Sequence, residues 1–296
     1  MQKNMKAFLI AVVGSALLAD VSSVQADAVV FSAAGASQVD IQTTIEAFRL
    51  TTSESGDEAV DNGIGGGPLQ SGLRHIDWDL VPPDVAKSER LPGDFFSATV
   101  PVGANLSTLG TGLRVSALPG EALALRFGDL EPSYTATFAA YGAHRLFAPI
   151  NSTVTDIRFT VPSSPETPAV VNGFGAIFAD VDRPLGIQTT LVEYWDVNGQ
   201  LLGYFSVPPK DNGVSFLGVY FDGPEQVARV RITSGNVPLI SGVDDGLGGV
   251  VDLVAMGQFF YSEPMAIPEP TTRILFAVGL AALLASPRRN RGRSGQ

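Results

Sequence analysis

The chain has 296 residues, 45 % of them hydrophobic and 17 % charged, with 32 glycines, 20 prolines and no cysteine. This composition excludes a disulfide framework, a thiolate nucleophile and a cysteine-ligated zinc site, and it describes a turn-rich β protein. Formal net charge is −11; between the two end segments, 12 basic residues face 28 acidic ones, a net −16 that argues against nucleic acid or anionic lipid as partner.

Lys3 and Lys6 precede an apolar run over residues 7–19, which is too short to favour a membrane span. Val24 and Ala26 stand at the positions a signal peptidase reads. Residues 1–26 therefore read as a secretory signal cleaved after Ala26.

Ser37-Gln38-Val39-Asp40 has the form of a capping box, and Val39, Ile41, Ile45 and Phe48 follow at helical spacing. The pattern predicts an amphipathic helix over 37–50 that packs one face on a sheet. Residues 51–72 carry Gly63, Gly65, Gly66, Gly67 and Pro68 among acids and serines, which predicts a long exposed loop. No Gly-Lys-Ser/Thr follows these glycines, so a phosphate-binding loop is not supported.

From residue 74 to 263 short β runs alternate with turn signals. Apolar or alternating runs fall at 113–118, 122–127, 134–138, 153–161, 175–181, 189–196, 201–207, 215–221, 226–233 and 250–261. Pro119-Gly120, Asn198-Gly199, Asn212-Gly213 and Asp222-Gly223-Pro224 punctuate them. Asn198-Gly199 predicts a hairpin with a type I′ turn, since that turn needs positive φ at both central residues. The spacing predicts a mainly β fold, a single antiparallel β-sandwich over 27–263 with no internal repeat.

Pro264, Pro268 and Pro270 make 264–272 a stiff linker. An apolar run over 274–285 is only marginally long enough to cross a hydrocarbon core of about 30 Å, and Arg288, Arg289, Arg291 and Arg293 behind it would hold the C-terminus on the cytoplasmic side.

Candidate chemistry is sparse. Asp180 and Asp182 put two carboxylates at one strand end, Asp77 and Asp79 repeat the spacing, and Asp244-Asp245 adds acids in a Gly-rich loop. Oxygen donors of this kind suit a structural Ca²⁺ built from two of these clusters; the same residues also serve as turn and strand-end acids that cap backbone N–H groups. Paired carboxylates also open a second reading, a secreted carbohydrate-active enzyme of glycoside-hydrolase type. His75 and His144 lie far apart and form no metal or triad pattern. Trp78, Trp195, Tyr194, Tyr220 and Phe259 to Tyr261 are aromatics that serve either core or a glycan-stacking platform, with core the commoner role; Trp78, flanked by acids and followed by Pro82-Pro83, is the best platform candidate among them, and core is its expected place.

Pro268-Glu269-Pro270, an apolar helix and a terminal arginine cluster that includes Arg288 and Arg289 together resemble the PEP-CTERM sorting tail of Gram-negative bacteria. The resemblance covers about a tenth of the chain, residues 268–296. It implies a precursor held in the inner membrane by the 273–296 segment, processed near Pro-Glu-Pro by an exosortase, and delivered to the cell surface or the extracellular polysaccharide matrix.

The central region is similar to a set of uncharacterised secreted bacterial proteins in three blocks. These read Arg74-His75-Ile76-Asp77-Trp78-Asp79, Gly173-Phe174-Gly175-Ala176-Ile177-Phe178-Ala179-Asp180-Val181-Asp182 and Ser215-Phe216-Leu217-Gly218-Val219-Tyr220-Phe221. Where those proteins carry paired acids in the last strand, this chain has Gly257-Gln258. The resemblance implies one jelly-roll domain of galactose-binding type and brings no activity with it. The sequence thus leads to an exported, non-enzymatic protein with a glycan as the expected ligand.

Overall fold

The computed structural model describes residues 27–267 except 88–89, 224–225 and 247–248. The expected signal peptide, the Pro-Glu-Pro motif, the apolar segment and the arginine tail lie outside the described residues. Among the described residues no helix is long and apolar enough to cross a membrane.

In chain order the strands are β1 (Asp27–Gly35), β2 (Leu73–Ile76), β3 (Ala104–Thr108), β4 (Gly112–Val115), β5 (Phe147–Ile150), β6 (Val154–Val161) and β7 (Ser164–Val170). They continue with β8 (Gly173–Val181), β9 (Leu191–Trp195), β10 (Leu201–Ser206), β11 (Lys210–Asp222), β12 (Arg229–Thr233), β13 (Ala255–Ser262) and β14 (Met265–Ala266). A 16-residue helix, α1 (Gln38–Ser53), follows β1. The chain is therefore mainly β, with two antiparallel sheets and an N-terminal helix.

The first sheet runs β1-β11-β8-β13-β5-β4, with β2 also paired to β13. The second runs β10-β9-β12-β6-β7-β14, with β3 also paired to β6. Phe174, Ala176, Phe178, Phe259 and Tyr261 of the first sheet meet Ile157, Phe159, Val192, Tyr194, Val230 and Ile232 of the second in one buried core. Alternation along each strand supplies these residues, because every second side chain points to the same face.

A second cluster covers the other face of the first sheet. There Ile41, Ile45 and Phe48 of α1 pack on Ile177, Phe216 and Phe260. The helix begins at the expected capping box, where the Ser37 N–H donates to Asp40 at 2.9 Å, and it runs three residues beyond the expected end. It sits close because Gly175 and Gly218 pair across β8 and β11 beneath Phe48; a Cβ on Gly218 would lie 2.5 Å from the Phe48 ring.

Several expected runs take other forms. Residues 122–127 form no strand, and 134–138 contain a helical turn, Tyr134–Thr137, in place of one. Tyr134 and Phe138 both pack in the second cluster, a spacing that a helix and a strand satisfy alike. The Asn198-Gly199 hairpin joins β9 to β10, but of that pair only Gly199 takes positive φ, at 75°. Asp196 and Gln200 close a three-residue loop, with the Asp196 N–H donating to the Gln200 carbonyl at 2.9 Å. The turn is thus of the type that ends in a left-handed glycine, not type I′. Asn212-Gly213, read as a turn, lies inside β11 as a bulge.

The loop over residues 54–72 is irregular, as expected, and has an internal organiser. Arg74, fully buried, donates to the carbonyls of Gly63 at 2.8 Å and Gly65 at 2.6 Å, and makes a two-pronged ion pair with buried Glu263 at 2.6 and 2.8 Å. Positive φ at Gly63 and Gly65, 65° and 75°, lets the backbone curl around the guanidinium.

Candidate functional site

Trp78 is 1 % exposed, stacks on Phe147 at 4.4 Å between ring centres, and donates its indole N–H to the Gly257 carbonyl at 2.6 Å. Of the two roles open to it, Trp78 takes the core one and is no glycan platform: the ring belongs to the inter-sheet core, where its apolar area is removed from water and its one polar atom is paired. Gly257 has a role of its own, because a Cβ there would lie 2.3 Å from the Tyr141 ring, whose hydroxyl accepts the Gln258 N–H at 3.1 Å. The register of β13 against β8 shifts between Met256 and Phe259, at these two residues.

Asp77 and Asp79 do not join Asp180 and Asp182. Asp77 accepts the Asp79 N–H at 3.1 Å, and Asp79 takes His144 Nδ1 at 2.7 Å and the Arg145 N–H at 2.8 Å. They cap a turn and tether the lead-in to β5, the second of the two roles open to them in the sequence.

Asp180 and Asp182 meet acids from elsewhere. Asp180, Asp182, Asp211 and Asp245 each bring one carboxylate oxygen to within 4.8 Å of the others. The bulge in β11 makes this arrangement. Lys210 pairs with Val181 and Val214 with Ala179, so Asp211, Asn212 and Gly213 face the single residue Asp180. Asp180 itself takes φ of 64°, in the left-handed region that Asp tolerates better than most side chains. The alternation of β8 slips there by one: Phe174, Ala176 and Phe178 are followed into the inter-sheet core by Val181.

Asp180 is fully buried; its Oδ1 accepts the Asn212 N–H at 2.7 Å, and its Oδ2 has no hydrogen-bond partner among the described residues. Burial, then the charges of Asp245, Asp182 and Asp211, push its carboxyl up to about 8. Burial and the charge of Asp182 push Asp245 up to about 7. Asp182 is raised too, by burial and then by Asp211. Asp252, buried behind the group, accepts the Asp182 N–H at 2.9 Å and the hydroxyl of Thr190 at 3.1 Å, and so pins the 235–252 loop to the ends of β8 and β9.

A separate groove of about 620 Å³ opens on the second sheet. Across it, Asn105, Arg158, Arg229 and Trp195 are paired in register on β3, β6, β12 and β9, and directly paired residues share a face. The row spans three interstrand gaps, about 14 Å. The Arg229 guanidinium lies over the Trp195 ring at 4.4 Å. Glu166, Asp196 and Asn198 complete the polar rim, and Ile267 lines the edge nearest the linker. Both oxygens of Asp196 are engaged within the hairpin, by the backbone N–H of Asn198 and Gln200 and by the Asn198 side-chain amide, at 2.7–3.0 Å. The sequence named Trp195 among the aromatics; its pairing with Arg229, which in turn pairs with Arg158, exists only once the strands are in register.

No family model matches the chain, and no curated protein matches it. Among solved structures, a two-domain protein of unknown function from Bacteroides fragilis aligns at 14 % identity with a TM-score of 0.20. The alignment covers 68 % of this chain and 46 % of that one, so the chain spans less than half of its length. At that score the likeness carries no argument about fold or function.

Proposed function

We propose that this chain is an exported, non-enzymatic protein of the cell surface or extracellular matrix that binds glycan through the groove on its second sheet. The observation that carries the reading is the in-register row Asn105, Arg158, Arg229 and Trp195. An indole supplies an apolar face for a sugar ring, and guanidinium and amide groups supply fixed donors for hydroxyls or for the carboxylate of an acidic sugar. The finer fold reading, a jelly-roll of galactose-binding type, belongs to the same proposal and agrees with two antiparallel sheets around one core. A hydrolase is the weaker reading: of the two carboxylates lining the groove, Asp196 has both oxygens committed to its own turn.

Export and sorting belong to the proposal as well. Signal peptidase would cut after Ala26. An exosortase would act near Pro268-Glu269-Pro270 on a precursor held in the inner membrane by the segment that carries Arg288 and Arg289. Mass spectrometry of surface-released protein should find that segment gone; material that still ends at Gln296 refutes the processing.

The binding test is a glycan array, followed by titration with neutral and uronate-containing polysaccharides. Wild type is expected to bind, and Trp195→Ala to weaken binding by about 1–2 kcal/mol, roughly tenfold, on the scale of a lost aromatic contact. Unchanged binding by Trp195→Ala, or none by wild type, refutes the groove.

A further inference from the structure

We propose that Asp180, Asp182, Asp211 and Asp245 form a Ca²⁺ site, and that the ion clamps the 235–252 loop to the end of β8 and the bulge of β11. The site is distinct from the groove, with which it shares no lining residue.

Four carboxylates drawn into so small a volume repel one another, and at Asp180, the buried member, little water is left to screen the charge. Among the described residues no basic side chain is hydrogen-bonded to the group: the backbone N–H of Asn212 reaches one oxygen of Asp180, the other has no hydrogen-bond partner while fully buried, and the side chains of Asp182 and Asp245 are hydrogen-bonded only to each other across the cluster. Asp245 likewise has one buried oxygen, Oδ1, without a hydrogen-bond partner among the described residues. Two buried carboxylate oxygens without hydrogen-bond donors, on two residues of one tight carboxylate cluster, are what a cation would satisfy.

The donor set selects the ion. All four ligands are carboxylate oxygens, with no imidazole or thiolate among them, which suits a hard cation over zinc or copper. Oxygens on opposite sides of a Ca²⁺ ion stand about 4.6–5.2 Å apart, twice the usual Ca–O distance, and the four oxygens lie within 4.8 Å of one another. Asp182 and Asp245 sit at partly exposed positions, so an ion has a path from solvent and water can complete the coordination. The bulge at Asp211 and the left-handed backbone of Asp180 fit the same account, since both aim a carboxylate that a regular strand pair would not.

The ligands come from three segments that are far apart in sequence, so the ion ties them together only in the folded state. Binding therefore adds to stability through the folded form alone.

The experiment is calorimetric titration of the full chain with Ca²⁺ and with Mg²⁺ at pH 7.5, paired with melting curves in Ca²⁺ and in chelator. One Ca²⁺ per chain is expected, with Kd on the order of 10⁻⁴–10⁻³ M as for extracellular modules, and tighter than Mg²⁺. A hundredfold excess of Ca²⁺ over Kd should raise Tm by about 5–10 °C. Asp245→Asn should weaken Ca²⁺ binding at least about tenfold, yet melt in chelator no lower than wild type, because it removes one repelling charge. Asp84→Asn, at an exposed acid outside the group, should change neither quantity. The proposal is overturned if wild type takes up no Ca²⁺, if Mg²⁺ binds as tightly, or if Asp84→Asn loses as much affinity as Asp245→Asn. It is also overturned if Asp245→Asn melts lower in chelator while keeping the Ca²⁺ increment. A Trp195→Ala chain should bind Ca²⁺ normally, which separates failure of the groove from failure of this site.

Discussion

Truncating Glu263 to alanine tests how the glycine-rich loop is held. Glu263 accepts four hydrogen bonds: two from Arg74 at 2.6 and 2.8 Å, one from the Asn62 side chain at 2.8 Å, and one from the Leu69 N–H at 3.2 Å. Both members of the ion pair are buried, at 0 % and 2 % side-chain exposure. Removing the carboxylate leaves a guanidinium charge in the interior that cannot be deprotonated away. Breaking a buried pair from one side costs about 3–5 kcal/mol. For a chain of this size each kcal/mol moves Tm by about 2–4 °C, so Glu263→Ala should melt about 6–20 °C below wild type. Replacing both partners, Arg74→Met with Glu263→Leu, should recover most of that loss, because no charge is then stranded. Recovery should stop short of wild type, since the Gly63 and Gly65 carbonyls lose their donor. Melting followed by circular dichroism is the assay, with limited proteolysis across residues 54–72 as a local readout. A Glu263→Ala chain that melts within about 2 °C of wild type refutes the reasoning, and so does a double variant no more stable than the single one.

Gly218→Ala should lose about 1–3 kcal/mol, since the added methyl meets the Phe48 ring at 2.5 Å and α1 must lift to make room. Equilibrium denaturation measures it, and an unchanged midpoint would mean that the helix does not seat on this glycine. A pH series in chelator addresses the aspartate group. Asp180 and Asp245 titrate near 8 and 7 in the folded chain against an ordinary value of 3.8, so the folded state holds protons the unfolded state has released. Stability is then highest at the acid end of that window and falls as pH rises from about 4 to about 8. The groups facing Asp180 are Asp245, Asp182 and Asp211, and those facing Asp245 are Asp182, Asp211 and Asp252, all acids that act in the same direction. Tm in chelator should therefore drop between pH 5 and pH 8, less steeply in Asp245→Asn; a rise over that range contradicts the assignment.

Local signals carried much of the fold. The capping box at Ser37 and Asp40 starts a helix because its partners are three residues apart, and the Asn198-Gly199 pair marks a hairpin because only a few residues tolerate the turn. Near-continuous apolar runs in 175–181 and 215–221 name two central strands, since a strand between a helix and a second sheet must be apolar on both faces. Composition fixed the chain as mainly β and cysteine-free before any element was placed.

What sequence proximity could not supply came from long-range pairing. Trp78 sits among acids in the sequence, yet is core, because three residues of 3₁₀ helix turn it under β13. Asp77 and Asp79 show the same Asp-x-Asp spacing as Asp180 and Asp182 but meet a histidine and a backbone amide instead of other carboxylates. Asp211 gave no signal beyond preceding Asn212-Gly213, and only the bulge in β11 brings it to Asp180. Asp245 lies 63 residues from Asp182 and reaches it because Asp252 fastens its loop to β8. Residue types and local spacing set which elements form; which charges become neighbours depends on strand register and loop closure, interactions between residues far apart in the chain.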